Sequence, residues 1–226
     1  QAAWMAEEVS GERLGAAVGV PAEKARLRLA AMLERRAAGE PLQYVLGNWS
    51  FRRLELMVDQ RVLIPRPETE QVVEVALAEI DRLRADDPGQ RATVVDLGTG
   101  SGAIALSLAR ERAGVEVWAT DRSPGAVAVA RANLSGLAGF AATRVRVVEG
   151  DWWDALPGDL KGTVDLVVSN PPYIATAEMA GLDRVVAEWE PREALEAGPA
   201  GTEDLEFLLS TAPGWLRPGG SLVLEM

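Results

Sequence analysis

The sequence contains neither cysteine nor histidine. The lack of cysteine excludes disulfide bonds and thiolate chemistry, and the lack of histidine excludes Ser-His-Asp triads, Cys-His pairs and the commonest metal ligands. We therefore expect no metal site. The chain also has no apolar run of about 18 residues and no secretory signal, so we expect a cytoplasmic protein without membrane contact.

Acidic residues outnumber basic ones by 34 to 23. The 226 residues carry a formal net charge of −11, which argues against a general binder of phosphate backbones. With 48% hydrophobic residues, the chain can bury the core of one domain plus a small appendage.

The most informative stretch follows a predicted buried strand at residues 164–168. Asn170 offers one acceptor and two donors at the end of this strand, where open α/β sheets bind ligands. Pro171 and Pro172 end the strand and leave nearby carbonyls free, and Tyr173 adds a flat apolar face. The combination suits a planar neutral group that bears an –NH2, although a proline-rich turn is the simpler alternative.

A glycine-rich turn forms the second informative stretch. A predicted strand at residues 93–96 runs into Gly98, Gly100 and Gly102, and a helix is predicted from residue 103. The spacing lacks the third glycine of a dinucleotide fingerprint, and Asp96 suits a ligand with a positive end better than a pyrophosphate. The next predicted strand, residues 115–120, ends at Asp121, where nucleotide-binding folds keep the carboxylate that binds ribose.

A third predicted strand, residues 144–148, is followed by Asp151 and Trp152. An acid and an aromatic ring could serve the amino group and the face of an adenine. Taken singly, the two are more typical of loop and core residues. Together with Asp121 and the glycines, they indicate that neighbouring strand ends bind one adenosine-like ligand.

The first part of the chain predicts helices and a hairpin. Residues 1–46 favour helix, with Pro21 near a helix start and one apolar face formed by Ala25, Leu29, Met32 and Leu33. Residues 47–64 alternate as a β-hairpin linker does. A further helix is predicted after Pro67, with an inward face of Val73, Ala76, Leu77 and Ile80, and residues 86–90 predict a turn before the sheet.

Residues 96–102 and 170–173 together resemble a class I S-adenosylmethionine-dependent methyltransferase that acts on a planar exocyclic nitrogen. Three further segments, residues 39–47, 63–70 and 190–195, are similar to the release-factor glutamine N5-methyltransferases and occur in that family's order. Residues 66–70, Arg-Pro-Glu-Thr-Glu, are the most specific part of the resemblance. Trp189 departs from the pattern, because the family more often has phenylalanine there.

The resemblance implies an α/β fold with a Rossmann-like sheet, preceded by a helical substrate-binding region at residues 1–46 and a hairpin linker at residues 47–64. Residues 65–226 would form the methyltransferase domain. The last predicted strand, residues 220–226, runs to the end of the sequence, so we expect the strands that complete the family's sheet to be missing. The helical region is also shorter than is usual for the family.

The resemblance also implies residue roles for S-adenosyl-L-methionine, whose product is S-adenosyl-L-homocysteine. The cofactor set would be Gly98, Thr99, Gly100, Ser101 and Gly102 under the methionine part, Asp121 at the ribose, Asp151 and Trp152 at the adenine, and Asn170. The acceptor set would be Arg66, Asn170, Pro171, Pro172 and Tyr173, with Asn170, Pro171 and Tyr173 as the catalytic group. The implied substrate is the Gly-Gly-Gln glutamine of a class 1 peptide chain release factor, without direct nucleic-acid contact.

Two alternatives remain open at this point. Adenine N6 in DNA or RNA presents the same –NH2 geometry, but the net charge of −11 and the segment around Arg66 argue against it. A non-catalytic scaffold that binds the cofactor and recognises a translation factor is the second alternative. The complete stretch from Asn170 to Tyr173 argues against that reading.

Overall fold

The protein is described from a computed structural model that covers residues 5, 22–85, 89–137 and 139–226. Its helices are α1 (Ala22–Ala37), α2 (Leu42–Leu46), α3 (Thr69–Leu83), α4 (Ala103–Glu111), α5 (Pro124–Gly136), α6 (Arg184–Trp189) and α7 (Glu203–Thr211). Its strands are β1 (Asn48–Phe51), β2 (Leu54–Met57), β3 (Ala92–Leu97), β4 (Val115–Asp121), β5 (Val145–Glu149), β6 (Val164–Ser169), β7 (Ile174–Ala175), β8 (Glu196–Gly198) and β9 (Leu216–Leu224). Pro21 and residues 86–88, on which two of the expectations fall, lie outside the described residues.

A parallel sheet of five strands in the order β5-β4-β3-β6-β9 forms the centre of the protein. Its middle strands are apolar on both faces, as a parallel sheet covered by helices on both sides requires. Val94, Val95 and Val167 are all fully buried. The predicted Rossmann-like α/β fold is confirmed, and the last strand begins at Leu216 rather than at residue 220.

Helices cover both faces of this sheet. Helix α3 buries Val73, Ala76, Leu77 and Ile80, as its periodicity predicts, in a core shared with α4 and the hairpin. On the opposite face, Trp153 stacks on Trp215 with ring centroids 5.3 Å apart, beside Leu208 of α7. Apolar burial on both faces holds the strand ends rigidly in place.

The order of the strands places a switch point between β3 and β6. The chain moves from β3 through β4 to β5 in one direction, and then crosses to β6 on the other side of β3. Leu97 is paired with Ser169, whose hydroxyl donates to the Leu97 carbonyl at 2.7 Å. Open α/β sheets bind ligands beside such a switch point, at the carboxyl ends of the strands.

The N-terminal elements pack beside the sheet domain. Met32 is buried between α1 and α2, with Ala25 and Leu29 partly buried beside it. Leu33, predicted on the same face, is instead 44% exposed, because one residue of helix turns it about 100° away from Met32. Antiparallel β1 and β2 form a hairpin over residues 48–57, within the span of 47–64 predicted for the hairpin linker. In the described part of the chain, no helix has the length and apolar character to cross a membrane.

Candidate active site

A cleft of about 690 Å³ opens at the carboxyl ends of β3, β4, β5 and β6, and we call it the large cleft. Several stretches of the chain line it: Arg61, Val62, Leu63, Gly98, Gly100, Thr120, Asp121, Arg122, Ser123, Ala126, Gly150, Asp151, Trp152, Asn170, Pro172, Pro191, Glu193 and Ala194. The cleft thus brings together Gly98, Gly100, Asp121, Asp151, Trp152 and Asn170 from the predicted cofactor set.

The floor of the large cleft is the glycine turn after β3. Gly98 and Gly100 have φ angles of 70° and 56°, and a Cβ atom on either would meet no other atom within 4 Å. Both glycines therefore border open space that a ligand could fill, and their left-handed backbone disfavours other residues. This geometry fits the passage of an elongated ligand over the turn.

The other three predicted cofactor residues of the turn, Thr99, Ser101 and Gly102, do not line the large cleft, and their contact with the cofactor stays a prediction. Thr99 and Ser101 are buried, and the Thr99 hydroxyl donates to Asp96 Oδ2 at 2.7 Å. A buried hydroxyl that is bonded inside the turn cannot also face the cleft. These residues support the turn from its buried side.

Asp96 braces this turn from within the core. Its Oδ2 also accepts the Ala105 N–H at 3.0 Å, while Oδ1 has no hydrogen-bond partner among the residues that the structure describes. Burial raises the pKa of Asp96 to about 7, against the opposing effect of the Thr99 hydrogen bond. Asp96 does not line the large cleft, so the expectation that it faces a positive ligand group is not met.

Asp121 ends β4 and contributes a carboxylate to the wall of the large cleft. Its Oδ2 accepts the Gly100 N–H and its Oδ1 accepts the Ser123 N–H, each at 2.9 Å. Burial raises the pKa of Asp121, and these two backbone hydrogen bonds oppose the rise. A carboxylate oxygen can accept more than one hydrogen bond, so Asp121 has capacity left for two neighbouring hydroxyl groups.

Asp151 and Trp152 follow β5 at the rim of the large cleft. Asp151 is exposed, and the partly buried Trp152 has an unusual φ of 45°. The Trp152 ring is tilted by 41° against Phe207 of α7, with centroids 6.1 Å apart. The left-handed backbone and this aromatic contact hold a flat apolar surface at the rim of the large cleft.

A second cavity of about 470 Å³ adjoins the large cleft, and we call it the small cavity. It is lined by Leu63, Arg66, Asn170, Tyr173, Ile174, Val186, Ala194 and Leu195. Asn170, together with Leu63 and Ala194, lines both spaces and so stands at their boundary. The Asn170 Nδ2 group donates to the Thr69 hydroxyl at 3.3 Å.

The residues after Asn170 divide between the two spaces. Pro172 lines the large cleft and the half-exposed Tyr173 lines the small cavity. Pro171 is buried and lines neither space, which departs from its predicted place in the acceptor set. A role for the Pro171 carbonyl stays a prediction.

Arg66 lies at the small cavity, but its guanidinium already has a partner. Its Nη2 binds Glu190 Oε1 at 2.5 Å, and the other oxygen of Glu190 accepts the Ile64 N–H at 3.2 Å. The Glu190 side chain is almost fully buried. The hypothesis that Arg66 is free to bind a substrate loop must therefore allow for this ion pair, which fixes the direction of the guanidinium.

Two walls of the large cleft were missed by reasoning from the sequence. One wall is Arg61, Val62 and Leu63, which the sequence analysis treated as part of a linker. The other contains Pro191, Glu193 and Ala194, from a segment noted only for its family resemblance. Both segments occur in the chain together with the Asn170 motif, although no local structural role accounts for their residues. That co-occurrence is the signal that could have identified them.

The fold and the two adjoining spaces place the protein in the class of Rossmann-like methyltransferases. The family model for "Methyltransferase small domain" matches residues 79–189, and that for "PrmC N-terminal domain" matches residues 20–47. The solved structure of the hMettl16 catalytic domain, in complex with MAT2A 3'UTR hairpin 6, superposes with a TM-score of 0.50. It is 16% identical, covers 80% of this chain and 60% of its own, and shows likeness of fold alone.

Curated relatives identify the family within that class. The release factor glutamine methyltransferase of Moorella thermoacetica is 49% identical over 194 residues, which are 86% of this chain and 64% of the relative. That of Gloeobacter violaceus is 43% identical over 229 residues, which are 99% of this chain and 76% of the relative. The chain belongs to the release factor glutamine methyltransferase family, and it spans 64% and 76% of the length of these two relatives.

Proposed function

We propose that this protein transfers a methyl group from S-adenosyl-L-methionine to the side-chain amide nitrogen, N5, of a glutamine. The acceptor is the glutamine of the Gly-Gly-Gln motif in a class 1 peptide chain release factor, and the reaction belongs to the cytoplasm. The observation that carries the proposal is that Asn170 lines both the large cleft and the small cavity. One residue can then act on an acceptor in one space while a methyl donor occupies the other.

The large cleft suits the cofactor part by part. Asp121 would hold the ribose hydroxyls, Asp151 and Trp152 would border the adenine, and Gly98 and Gly100 would underlie the methionine part. The open space over the two glycines and the spare acceptor capacity of Asp121 support this fit. When bound, the cofactor supplies an electrophilic methyl group on a positively charged sulfur.

The small cavity suits an amide acceptor. A glutamine nitrogen is a weak nucleophile because its lone pair is delocalised into the carbonyl. Asn170 Oδ1 and the Pro171 carbonyl would accept its two hydrogens, which favours the positive charge that develops on the nitrogen during transfer. The same two contacts would aim the lone pair along the line of transfer. The proton can leave after transfer, when it is far more acidic, so no histidine or cysteine base is needed.

Recognition of the whole release factor would involve the elements before the sheet. Tyr44 of α2 donates its hydroxyl to the Val62 carbonyl at 2.6 Å, and Val62 lines the large cleft. This contact ties the helical region to the wall of the site. We infer that residues 22–46 touch the release factor away from its Gly-Gly-Gln loop and add affinity without taking part in the chemistry.

Methyl incorporation from labelled cofactor tests the proposal. The acceptors are intact release factor, a short Gly-Gly-Gln peptide, free glutamine, and DNA or RNA that contains adenine; a release factor with alanine in place of the acceptor glutamine is the matched control. We expect incorporation to fall from intact factor to peptide to free glutamine, and mass spectrometry to locate the methyl group on the glutamine.

Each other result has a defined meaning. Equal rates on the peptide and on the intact factor would refute docking through residues 22–46. Preferential methylation of adenine would assign the enzyme to the N6-adenine class. Cofactor binding without transfer to any of these acceptors would identify a non-catalytic scaffold.

A further inference from the structure

Thr69 is the first residue of α3 and one of the few buried polar residues near the site, with 4% of its surface exposed. Its N–H donates to the Arg66 carbonyl at 3.1 Å, which fixes the backbone there. Its hydroxyl does not cap the helix, since the N-cap residue is Glu68. The hydroxyl instead accepts Nδ2 of Asn170 at 3.3 Å, although the two residues are 101 positions apart.

The side chain of Glu225 interacts with both partners of this hydrogen bond. It follows β9, and its N–H donates to the carbonyl of Ser169, the residue before Asn170, at 3.1 Å. Its Oε2 is buried and has no hydrogen-bond partner within the described part of the chain. Burial raises the pKa of the Glu225 carboxyl, and hydrogen bonding from Thr69 and Asn170 partly opposes that rise.

We propose that Thr69, backed by Glu225, is the positioning residue that fixes which end of the Asn170 amide faces the acceptor. The inference rests on the proposed function, in which Asn170 Oδ1 accepts a hydrogen of the glutamine amide. An asparagine amide can turn by 180° and exchange its oxygen for its nitrogen with little change in shape. The turned amide would present its own N–H groups to the incoming –NH2, and the interaction would be lost.

A threonine hydroxyl alone cannot make this choice, because it can both donate and accept. The Glu225 carboxylate removes the ambiguity, because it can only accept hydrogen bonds, both from Thr69 and from Nδ2 of Asn170 itself. If the Thr69 hydroxyl donates to the carboxylate, it can only accept from Asn170, so Nδ2 must turn toward Thr69. The resulting chain of donors, from the Asn170 N–H through the Thr69 O–H to the carboxylate, also polarises the amide and makes Oδ1 a better acceptor.

Three variants test the proposal in single-turnover assays with intact release factor. Thr69→Val keeps the shape of the side chain and removes the acceptor. We expect the transfer rate to fall about tenfold or more, which is a smaller effect than loss of the Asn170 contact itself. Thr69→Ser keeps the hydroxyl and should stay within about threefold of the wild-type rate. Glu225→Gln offers both an oxygen and an N–H to Thr69, so the choice is lost and the rate should fall as well. Cofactor affinity should be unchanged in all three.

A double variant separates positioning from general structure. Because Thr69 acts through Asn170, adding Thr69→Val to Asn170→Ala should slow the remaining transfer by less than about twofold. A further tenfold loss in that background, or a loss of cofactor affinity, would mean that Thr69 supports the fold instead. Wild-type rates in Thr69→Val or in Glu225→Gln would overturn the proposal, and if Thr69→Val does not fold, Glu225→Gln and Thr69→Ser decide the matter. An inactive wild-type protein would instead refute the proposed function.

Discussion

Replacement of Asp121 by asparagine is the sharpest test of the cofactor site. The Asp121 carboxylate accepts the N–H groups of Gly100 and Ser123, each at 2.9 Å, and lines the large cleft. Asp121→Asn keeps the size of the side chain, removes its charge and replaces one accepting oxygen by an –NH2 group. The variant therefore changes hydrogen bonding at the proposed ribose position with little change in packing.

The size of the effect follows from the charge on the acceptor. A hydrogen bond to a charged group contributes roughly 1.5–3 kcal/mol, so loss of the carboxylate should weaken cofactor binding about 10- to 150-fold. The amide can accept through one oxygen only, so either Gly100 or Ser123 loses its acceptor. An unpaired N–H costs roughly 1–3 kcal/mol, and we expect the melting temperature to fall by several degrees.

Isothermal titration calorimetry with S-adenosyl-L-methionine measures the affinity, and thermal unfolding without cofactor measures the stability. Asp154→Asn is the matched control, because Asp154 is an exposed acid near the cleft that does not line it. That variant should bind within about twofold of the wild-type protein. An unchanged affinity in a folded Asp121→Asn variant would remove Asp121 from the cofactor site and refute the assignment of the large cleft.

Two further predictions concern turnover and pH. Asn170→Ala should lower the rate of methyl transfer about 100-fold or more and leave cofactor affinity within a few-fold, because Asn170 interacts mainly with the transition state. Parallel loss of cofactor binding and turnover would instead show that Asn170 binds the cofactor or supports the fold. Asp96 has its pKa raised to about 7 in the folded protein, so the folded state holds this proton more tightly than the unfolded state does. Its contribution to the unfolding free energy is therefore present below about pH 4 and is lost, by a few kcal/mol, as the pH rises to about 7. Asp96→Asn has no such proton. Chemical denaturation should therefore show that the unfolding free energy of the wild-type protein, relative to that of this variant, decreases over that pH range. A difference that does not change with pH would refute the raised pKa of Asp96.

Several parts of this protein follow from local sequence. The alternation of apolar runs and glycine turns predicted the strands of the sheet and the helix that follows Gly102, because backbone dihedrals and burial on two faces are decided within a few residues. The inward face of α3 followed from its helical period in the same way. The double proline after Asn170 likewise marked the end of β6.

The partners of the site residues were decided by the tertiary structure. Arg66 and Glu190 are 124 positions apart, and no local pattern reveals that the guanidinium is already paired. The turn of α1 that exposes Leu33, and the burial of the Thr99 hydroxyl against Asp96, likewise depend on what packs beside them. Local chemistry determines which groups a strand end can offer. Only the order of the strands and the packing of the loops after them determine which of those groups face a ligand and which face one another.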